Sequence, residues 1–341
     1  MAKKILGVDI GYDRLKLALV RGRQVVKAVS VQMPNRLVRE GRIVSPETMG
    51  ELIRSTMREN GIHCDRAALV LPNETVFVRN VIVPEMTADQ LVYNLPYEFR
   101  DYITDELKDY VFDYAMIPSA EKTDDGVADT SAEDSGGRTM ELLAVAAPRV
   151  ALDEARGVLR KAGLKFAKAA PAECAWIGLI RRMKDQFRPE SGEYCILDLG
   201  YQSIRMYMFR GDVHVVTRVL ETGMSRIDDV IADARNVDVH LAHTYLMTNY
   251  EDCQNQEYCR SAFSNIAVEL MRALNFYRFN NPDSHLNDVW LCGGGAEIGS
   301  LRKTLSETLD MNLHDAEELL PAGEPFEDCH ALLQAVGITQ D

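Results

Sequence analysis

Residues 7–22, GVDIGYDRLKLALVRG, return in closely similar form as residues 196–211, ILDLGYQSIRMYMFRG. Aligned without a gap, Asp9 meets Asp198, Gly11 meets Gly200, Tyr12 meets Tyr201 and Lys16 meets Arg205, while Arg21-Gly22 meets Arg210-Gly211. Each copy predicts the same local structure. ILGVDIG and YCILDLG are apolar runs of strand length, and RLKLALVRG and SIRMYMFRG alternate as second strands. Turns at Gly22 and at Gly211-Asp212 lead into third strands, VVKAVSVQM and VHVVTRVL. Two meanders of one pattern imply two similar lobes, each with a mixed sheet, in an α/β fold.

The 341-residue chain is long enough for a large core and more than one domain. Its formal net charge of −14 argues against a general binder of nucleic acid or anionic membrane, because both repel the average surface. Lysine and arginine are scattered, with no basic run. The apolar run in MAKKILGVDIG is too short for a secretory signal, and no window is long enough to span a bilayer. The expected location is therefore cytoplasmic. Seven cysteines without Cys-x-x-Cys spacing read as free thiols, and Cys253 and Cys259 beside His240 and His243 fit no usual zinc spacing.

After the first meander, residues 46–60 read as a helix closed by Gly61, and RAALVLP reads as a strand. A second block follows: VFVRNVIVP as a strand, TADQLVYNLPYEFRDYI as a helix capped by Thr87, then YVFDYAMI and MELLAVAAP as strands. Residues 119–138 are acidic and small, and read as a surface loop. A helix over 150–162 stops at Gly163. The second meander is followed by helices across 226–280, then by strand, glycine loop and helix in DVWLCGGGAEIGSLRKTLSETL, and by a last helix, CHALLQAVGI.

An aspartate at a strand end, followed by x-Gly and a hairpin, suits an anionic ligand. The glycine permits close backbone approach, and N–H groups there can face phosphate oxygens. Two such devices across a cleft could hold a nucleotide's phosphates, with Asp9 and Asp198 near a magnesium ion through water. Gly293, Gly294 and Gly295, between a strand and a helix, would let a flat base lie on the backbone. Local capping of each hairpin is the competing reading of the two aspartates.

This ordered set resembles the actin-like ATPase superfamily of actin, the heat-shock chaperones, sugar kinases and FtsA. VDIGYDRLKLALV is similar to its first phosphate motif, LDLGYQSIRMYMF to its second, and VWLCGGGAEIGSL, with Ile298, to its adenosine motif. PAECAWIGL resembles the first connecting helix, with Glu173 in the acidic place. AVELMRALNFYR resembles the second, with Glu269 and Arg272 where relatives touch the nucleoside. Within the superfamily the likeness extends almost end to end to the PilM family of type IV pilus assembly proteins. EGRIVSPETMGELIRSTMRENGI, ALVLPNETVFVRNVIVPEMTADQLVYNLPYEFRDYI and LLAVAAPRVALDEARGVLRKAGL follow that family's order, and Lys16 matches its lysine.

That resemblance implies an actin-like ATPase fold: two similar lobes around a nucleotide cleft, with an inserted 1C-type subdomain. The implied boundaries are 1–75 and 166–190 for subdomain 1A, 76–165 for 1C, 191–222 and 285–341 for 2A, and 223–284 for 2B. It implies ATP and magnesium as ligands, with Asp9, Glu173 and Asp198 as catalytic positions. The nucleotide contacts would be Gly11, Tyr12, Lys16, Gly200, Tyr201, Gly223, Glu269, Arg272, Gly293 to Gly295 and Ile298. It also implies a scaffold at the inner face of the cell membrane, in a type IV pilus or type II secretion-like machine. The scaffold would bind the cytoplasmic tail of a PilN-like membrane protein in the groove between 1A and 1C, beside other assembly proteins and further copies of itself, with no nucleic acid and no membrane anchor of its own.

The sequence departs from its relatives around the phosphates. Their small hydroxylated residues become Tyr12-Asp13-Arg14 and Tyr201-Gln202-Ser203, and a double glycine becomes Gly223-Met224. Either the two tyrosines point away and leave backbone donors for phosphate, or the cleft has lost tight binding and the fold serves as an adaptor. Weak or absent hydrolysis is the favoured expectation. An FtsA-like filament former and a small-molecule kinase are the alternatives. The first is disfavoured by a tail without a basic amphipathic helix, the second by the lack of an evident substrate lobe.

Overall fold

The computed structural model describes residues 3–34, 37–117, 138–183, 186, 189, 191–320 and 329–340. The acidic segment 119–138 lies outside the described residues except for Arg138. The first meander is β1 (Lys4–Ile10), β2 (Arg14–Arg21) and β3 (Gln24–Gln32). A small hairpin, β4 (Val38–Arg39) and β5 (Arg42–Ile43), precedes α1 (Pro46–Glu59) and β6 (Arg66–Val70). Ser45 caps α1 by accepting from the Thr48 N–H, Pro46 fills its first turn, and Gly61 leaves it with φ 61°.

The second block is β7 (Phe77–Pro84), α2 (Ala88–Asn94), β8 (Tyr110–Met116) and β9 (Thr139–Pro148). Thr87 caps α2 in a reciprocal box with Gln90. The helix expected over 87–103 is cut short. Pro96 has no N–H for the α ladder, and the chain continues as a 3-10 turn over Leu95–Phe99. Then α3 (Arg149–Lys161), β10 (Lys165–Ala170) and α4 (Ala172–Arg182) lead to the second meander, β11 (Glu193–Leu199), β12 (Ile204–Arg210) and β13 (Val213–Leu220). The remainder is α5 (Ser225–Arg235), α6 (Val239–Thr248), α7 (Glu257–Asn280), β14 (Asp288–Cys292), α8 (Gly299–Thr308), β15 (Asn312–Asp315) and α9 (Cys329–Gly337). Among the described residues no helix is long and apolar enough to cross a membrane.

The duplication extends through the sheets. Their orders, β10-β6-β1-β2-β3 and β13-β12-β11-β14-β15, mirror each other, and each ends in a short parallel strand, β10 or β15, that sequence patterning did not single out. Even the bulge repeats. Pairing of the second and third strands shifts at Leu19/Val20 in one lobe and at Met208/Phe209 in the other. Both turns carry a left-handed glycine, Gly22 at φ 61° and Gly211 at φ 59°.

The first two strands of each meander are buried on both faces, which explains their apolar runs, while β3 and β13 at the sheet edges are half-buried or exposed over most of their length. Outward, Leu6, Val8, Leu15 and Leu17 pack under α1 and α3, while Leu197, Met206 and Met208 pack under the helices of the second lobe. Inward, Ala18 and Val20 of one sheet and Ile196, Tyr207 and Phe209 of the other share one core with Trp176 of α4 and Leu333 and Val336 of α9. The second block forms its own sheet, β7-β9-β8, over a separate core with Leu91, Phe99 and Tyr110.

The shared core is tight where α9 crosses. A Cβ on Gly7 would stand 1.7 Å from the Ala335 carbonyl oxygen, and one on Gly337 would stand 2.0 Å from that of Ala175. At the place of Gly7 the second lobe has Ile196, buried in the shared core. Gly7→Val is therefore expected to cost about 3 kcal/mol through overpacking. Gly157→Ala, in α3 with nothing near its Cβ, should add about 0.5–1 kcal/mol. Urea midpoints at unchanged slope measure both, and a neutral Gly7→Val would contradict the packing.

Candidate functional site

The two hairpins face one cavity at the C-terminal ends of β1 and β11, and its walls include Asp9, Gly11, Tyr12 and Lys16 from one copy and Asp198, Gly200, Tyr201 and Arg205 from the other. Register places Lys16 directly across from Asp9 and Arg205 directly across from Asp198. The cations nevertheless act differently. Lys16 Nζ binds Asp9 Oδ2 within its own hairpin at 2.9 Å, whereas Arg205 reaches across the cleft to Glu74 of the first lobe. Burial opposes the charge on Lys16, but Asp9 and Asp198 outweigh it and hold the ammonium above its usual range. Burial also raises the Asp198 carboxyl, against the pull of Lys16 and Arg205. Gln334 of α9 donates to Asp198 Oδ2 at 2.9 Å.

The glycines have separate reasons. Gly293 (φ 79°) lies so close to the second aspartate that a Cβ would be 2.4 Å from Asp198 Oδ1. Gly223 lies under the second hairpin, where a Cβ would be 2.3 Å from the Tyr201 carbonyl oxygen. Gly294 is exposed at the cavity, and Gly295 is buried beside Met224. Met224 fills what a second glycine would leave open: it is buried, lines the cavity and donates its N–H to the Gly200 carbonyl at 3.1 Å. The Gly11 N–H is likewise used inside its hairpin, on the Arg14 carbonyl at 3.0 Å.

Tyr12 is pinned at its far end. Its hydroxyl accepts from the Gly41 N–H at 2.6 Å, so the ring joins the first hairpin to the β4-β5 turn. Beyond Tyr12, Glu74, Gln202 and Ser203 the cavity adjoins a wider chamber of about 1080 Å3, where Glu269 and Gly223 are found. Arg272 is exposed on α7 and lines neither space, and Ile298 is fully buried in the second-lobe core. Glu173 is also off the cavity wall. It is buried at the start of α4, its Oε1 accepting from Thr217 Oγ1 at 2.7 Å, and burial raises its carboxyl.

Several wall residues had no sequence signal: Glu74 and Gln334 stand far from either hairpin in the chain. Arg205 could have been read from its pairing with Lys16. Two donors on this wall, Ser203 Oγ and Arg205 Nε, are buried without a hydrogen-bond partner among the described residues.

His243 of α6 bridges the lobes. Its Nδ1 is 2.9 Å from Asp228 Oδ2 and its Nε2 is 3.8 Å from Asp13 Oδ2 of the first hairpin, with Tyr201 edge-on at 5.8 Å. The hydrogen bond to Asp228 raises the imidazole above 6.5, against burial and with help from Asp13. A raised folded value means that the charged bridge contributes fully below about pH 6.5 and is lost as pH rises through that value. The stability difference between wild type and His243→Gln, from denaturant unfolding, should therefore shrink as pH rises above about 6.5. A flat or growing difference would contradict the bridge.

The type IV pilus assembly protein PilM family profile matches residues 7–319. A search of curated protein sequences returns no match. Among solved structures, the chain is similar to the PilM-PilN type IV pilus biogenesis complex, with TM-score 0.79 and 23% identity over 98% of this chain and 97% of that one. It is similar to the ethanolamine utilization protein EutJ from Carboxydothermus hydrogenoformans, with TM-score 0.60 and 13% identity over 98% and 88%. It is also similar to MreB5 of Spiroplasma citri bound to AMPPNP, with TM-score 0.52 and 12% identity over 99% and 96%. The architecture is thus the actin-like ATPase fold. The profile extends from the first hairpin through β15, and the chain belongs to the PilM family of type IV pilus assembly proteins.

Proposed function

We propose that the chain is a cytoplasmic scaffold of a pilus machine that binds the tail of a PilN-like inner-membrane protein, which holds it at the inner face of the membrane. The observation that carries this is the family match over residues 7–319, and the solved complex of a relative with PilN supports the partner. We assign 76–165 to the family's 1C subdomain, 1–75 and 166–190 to 1A, 191–222 and 285–341 to 2A, and 223–284 to 2B. The separate core under β7-β9-β8 supports the first assignment over its strands and α2, whereas α3, within the same bounds, packs on the first sheet with α1. Of the aromatics on that block, Phe99 is core, whereas Tyr93 and Tyr97 are 77% and 58% exposed and suit a groove contact.

The cleft residues fit a magnesium-bearing nucleoside triphosphate. Ser203 Oγ and Arg205 Nε are buried donors that phosphate oxygens would satisfy, Lys16 adds charge, and Asp9 and Asp198 suit a hydrated magnesium ion. Gly293 and Gly294 would meet the nucleoside, and Glu269 borders the chamber beside them. When bound, the nucleotide supplies the negative charge to which both hairpins respond. Tyr12, tied to Gly41, and Met224, packed over Gly295, restrict the space around it. Glu173 is off the cavity wall and engaged by Thr217, which supports slow turnover rather than a dedicated water-activating base.

Isothermal titration of the purified chain with a PilN-like N-terminal peptide tests the scaffold reading. Binding is expected, weakened about tenfold by Tyr93→Ala with Tyr97→Ala, and retained in Asp9→Ala and Asp198→Ala. No binding to the wild-type chain would overturn it. In a separate titration with Mg-ATP, Ser203→Ala should lower affinity about tenfold, as for a hydrogen bond to a charged group. An unchanged affinity would remove Ser203 from the phosphate contacts.

A further inference from the structure

At the pole of the first sheet opposite the cleft, the strand ends carry a row of cations. Across the order β10-β6-β1-β2-β3 these are Lys165, Arg66, Lys4, Arg21 and, in the turn into β3, Arg23. Register brings them to the same end of the sheet, Lys4 and Arg21 on one face and Arg66 and Lys165 on the other. Lys165 pairs with Arg66, Lys4 pairs with Arg21, and Leu6 lies beside Ala67, which brings Arg66 next to Ile5. Among the described residues the ion-pair partner of this row is Asp65, 4.0 Å from Lys165. Lys3 and His63 are exposed beside it, on a shallow concavity shared with Lys4 and Arg66.

The second lobe provides an internal comparison. At matched places in the same topology, Lys4 becomes Glu193, Arg21 becomes Arg210, Arg23 becomes Asp212, Arg66 becomes Asp288 and Lys165 becomes Asn312. There Arg210 is paired with Glu193, and Asp288 with His314. The fold is built equally well with one cation, Arg210, at these five positions, so the convergence of five in a chain of net charge −14 has another cause.

We propose that this pole of the first lobe docks on an anionic lipid bilayer through headgroup phosphates. A row about 19 Å wide, from four strand spacings of about 4.8 Å, carries long stems on both faces of the sheet whose charged heads can extend past the strand ends. An acidic protein segment fits less well. The row is made of strand ends, which offer no open edge to an added strand. The concavity beside it is lined by Lys3, Lys4, His63, Cys64, Asp65 and Arg66, without an aromatic or aliphatic anchor. A few cations at a surface give weak, reversible partitioning and not stable anchoring. The proposal therefore adds to the PilN reading and does not replace it.

Sedimentation of the full chain with phosphatidylcholine vesicles, with and without phosphatidylglycerol, tests it. Binding is expected with phosphatidylglycerol, and is lost as salt rises. Lys4→Glu, Arg23→Asp and Arg66→Asp install what the second lobe carries at the same places. Each should lower partitioning by more than about fivefold, the loss for one cation alone, because each reverses a charge, whereas Lys303→Glu, an exposed cation on α8, should leave it unchanged. Thermal unfolding of each single variant separates lost docking from lost fold. No sedimentation with phosphatidylglycerol, an equal loss in Lys303→Glu, or capture of a polyglutamate peptide in place of vesicles would each overturn the proposal. PilN-peptide titration on the same variants should be unchanged. Vesicle binding without peptide binding would overturn the scaffold reading alone, and peptide binding without vesicle binding would overturn this one alone.

Discussion

The two sheets are held together by what lies between them. α4 and α9 are wedged between the inner faces, and the core they build takes side chains from both copies of the repeat. Neither lobe can bury Ala18 and Val20, or Tyr207 and Phe209, without the other. The joint is close because α9 approaches β1 and α4 at glycines, Gly7 and Gly337, so backbone lies against backbone. The cleft opens at one end of this joint, with its floor fixed and its mouth spanned by polar contacts. Asn73 donates to the Tyr207 hydroxyl at 3.0 Å, and Asn80 of β7 donates to the His214 carbonyl at 2.7 Å. Movement of one lobe on the other would exchange these polar bonds while the apolar joint persists.

Electrostatics at the mouth follow from the duplication and from its imperfection. Two identical hairpins would bring two like charges to one gap, and like charges in a partly buried space repel. The equivalent cations resolve this by different routes. Lys16 remains between the two aspartates, and Arg205 turns to Glu74, tying second lobe to first. Asp13 adds a further carboxylate at the first hairpin, and His243 answers it from the far lobe while resting on Asp228. The departures around the phosphate motifs thus have local structural partners. Tyr12 holds Gly41, Met224 packs over Gly295, and the cleft is rebuilt around larger side chains.

The fold was legible because a repeat carries its own cross-check. Strand length, turn glycine and aspartate each occurred twice in one order, and the sheets reproduce that order to the bulge. Less visible were features decided by contacts distant in sequence. β10 and β15 are short or polar and gain strand structure from a parallel neighbour. Pro96 ended α2 early by a backbone rule that the apolar periodicity masks. At the site, hairpin residues could be found from the motif, whereas Glu74, His243 and Gln334 reach the cavity only through the fold. Glu173 was singled out by its place on a connecting helix, yet its side chain follows Thr217 and the lobe joint.

Net charge averages over a surface that the fold then sorts. At −14 the chain repels anionic partners on average, and no stretch of sequence contradicts that. Parallel and antiparallel pairing nevertheless gathers Lys4, Arg21, Arg23, Arg66 and Lys165 from across the first half of the chain to one pole. Within about 8–10 Å at physiological salt, an approaching surface feels that pole more than the distant carboxylates, because ions screen the rest. The mean charge therefore sets which encounters are repelled at long range, and strand register sets which face remains attractive at contact. A duplicated domain makes the distinction visible, since the same strand ends in the second lobe carry Glu193, Asp212 and Asp288.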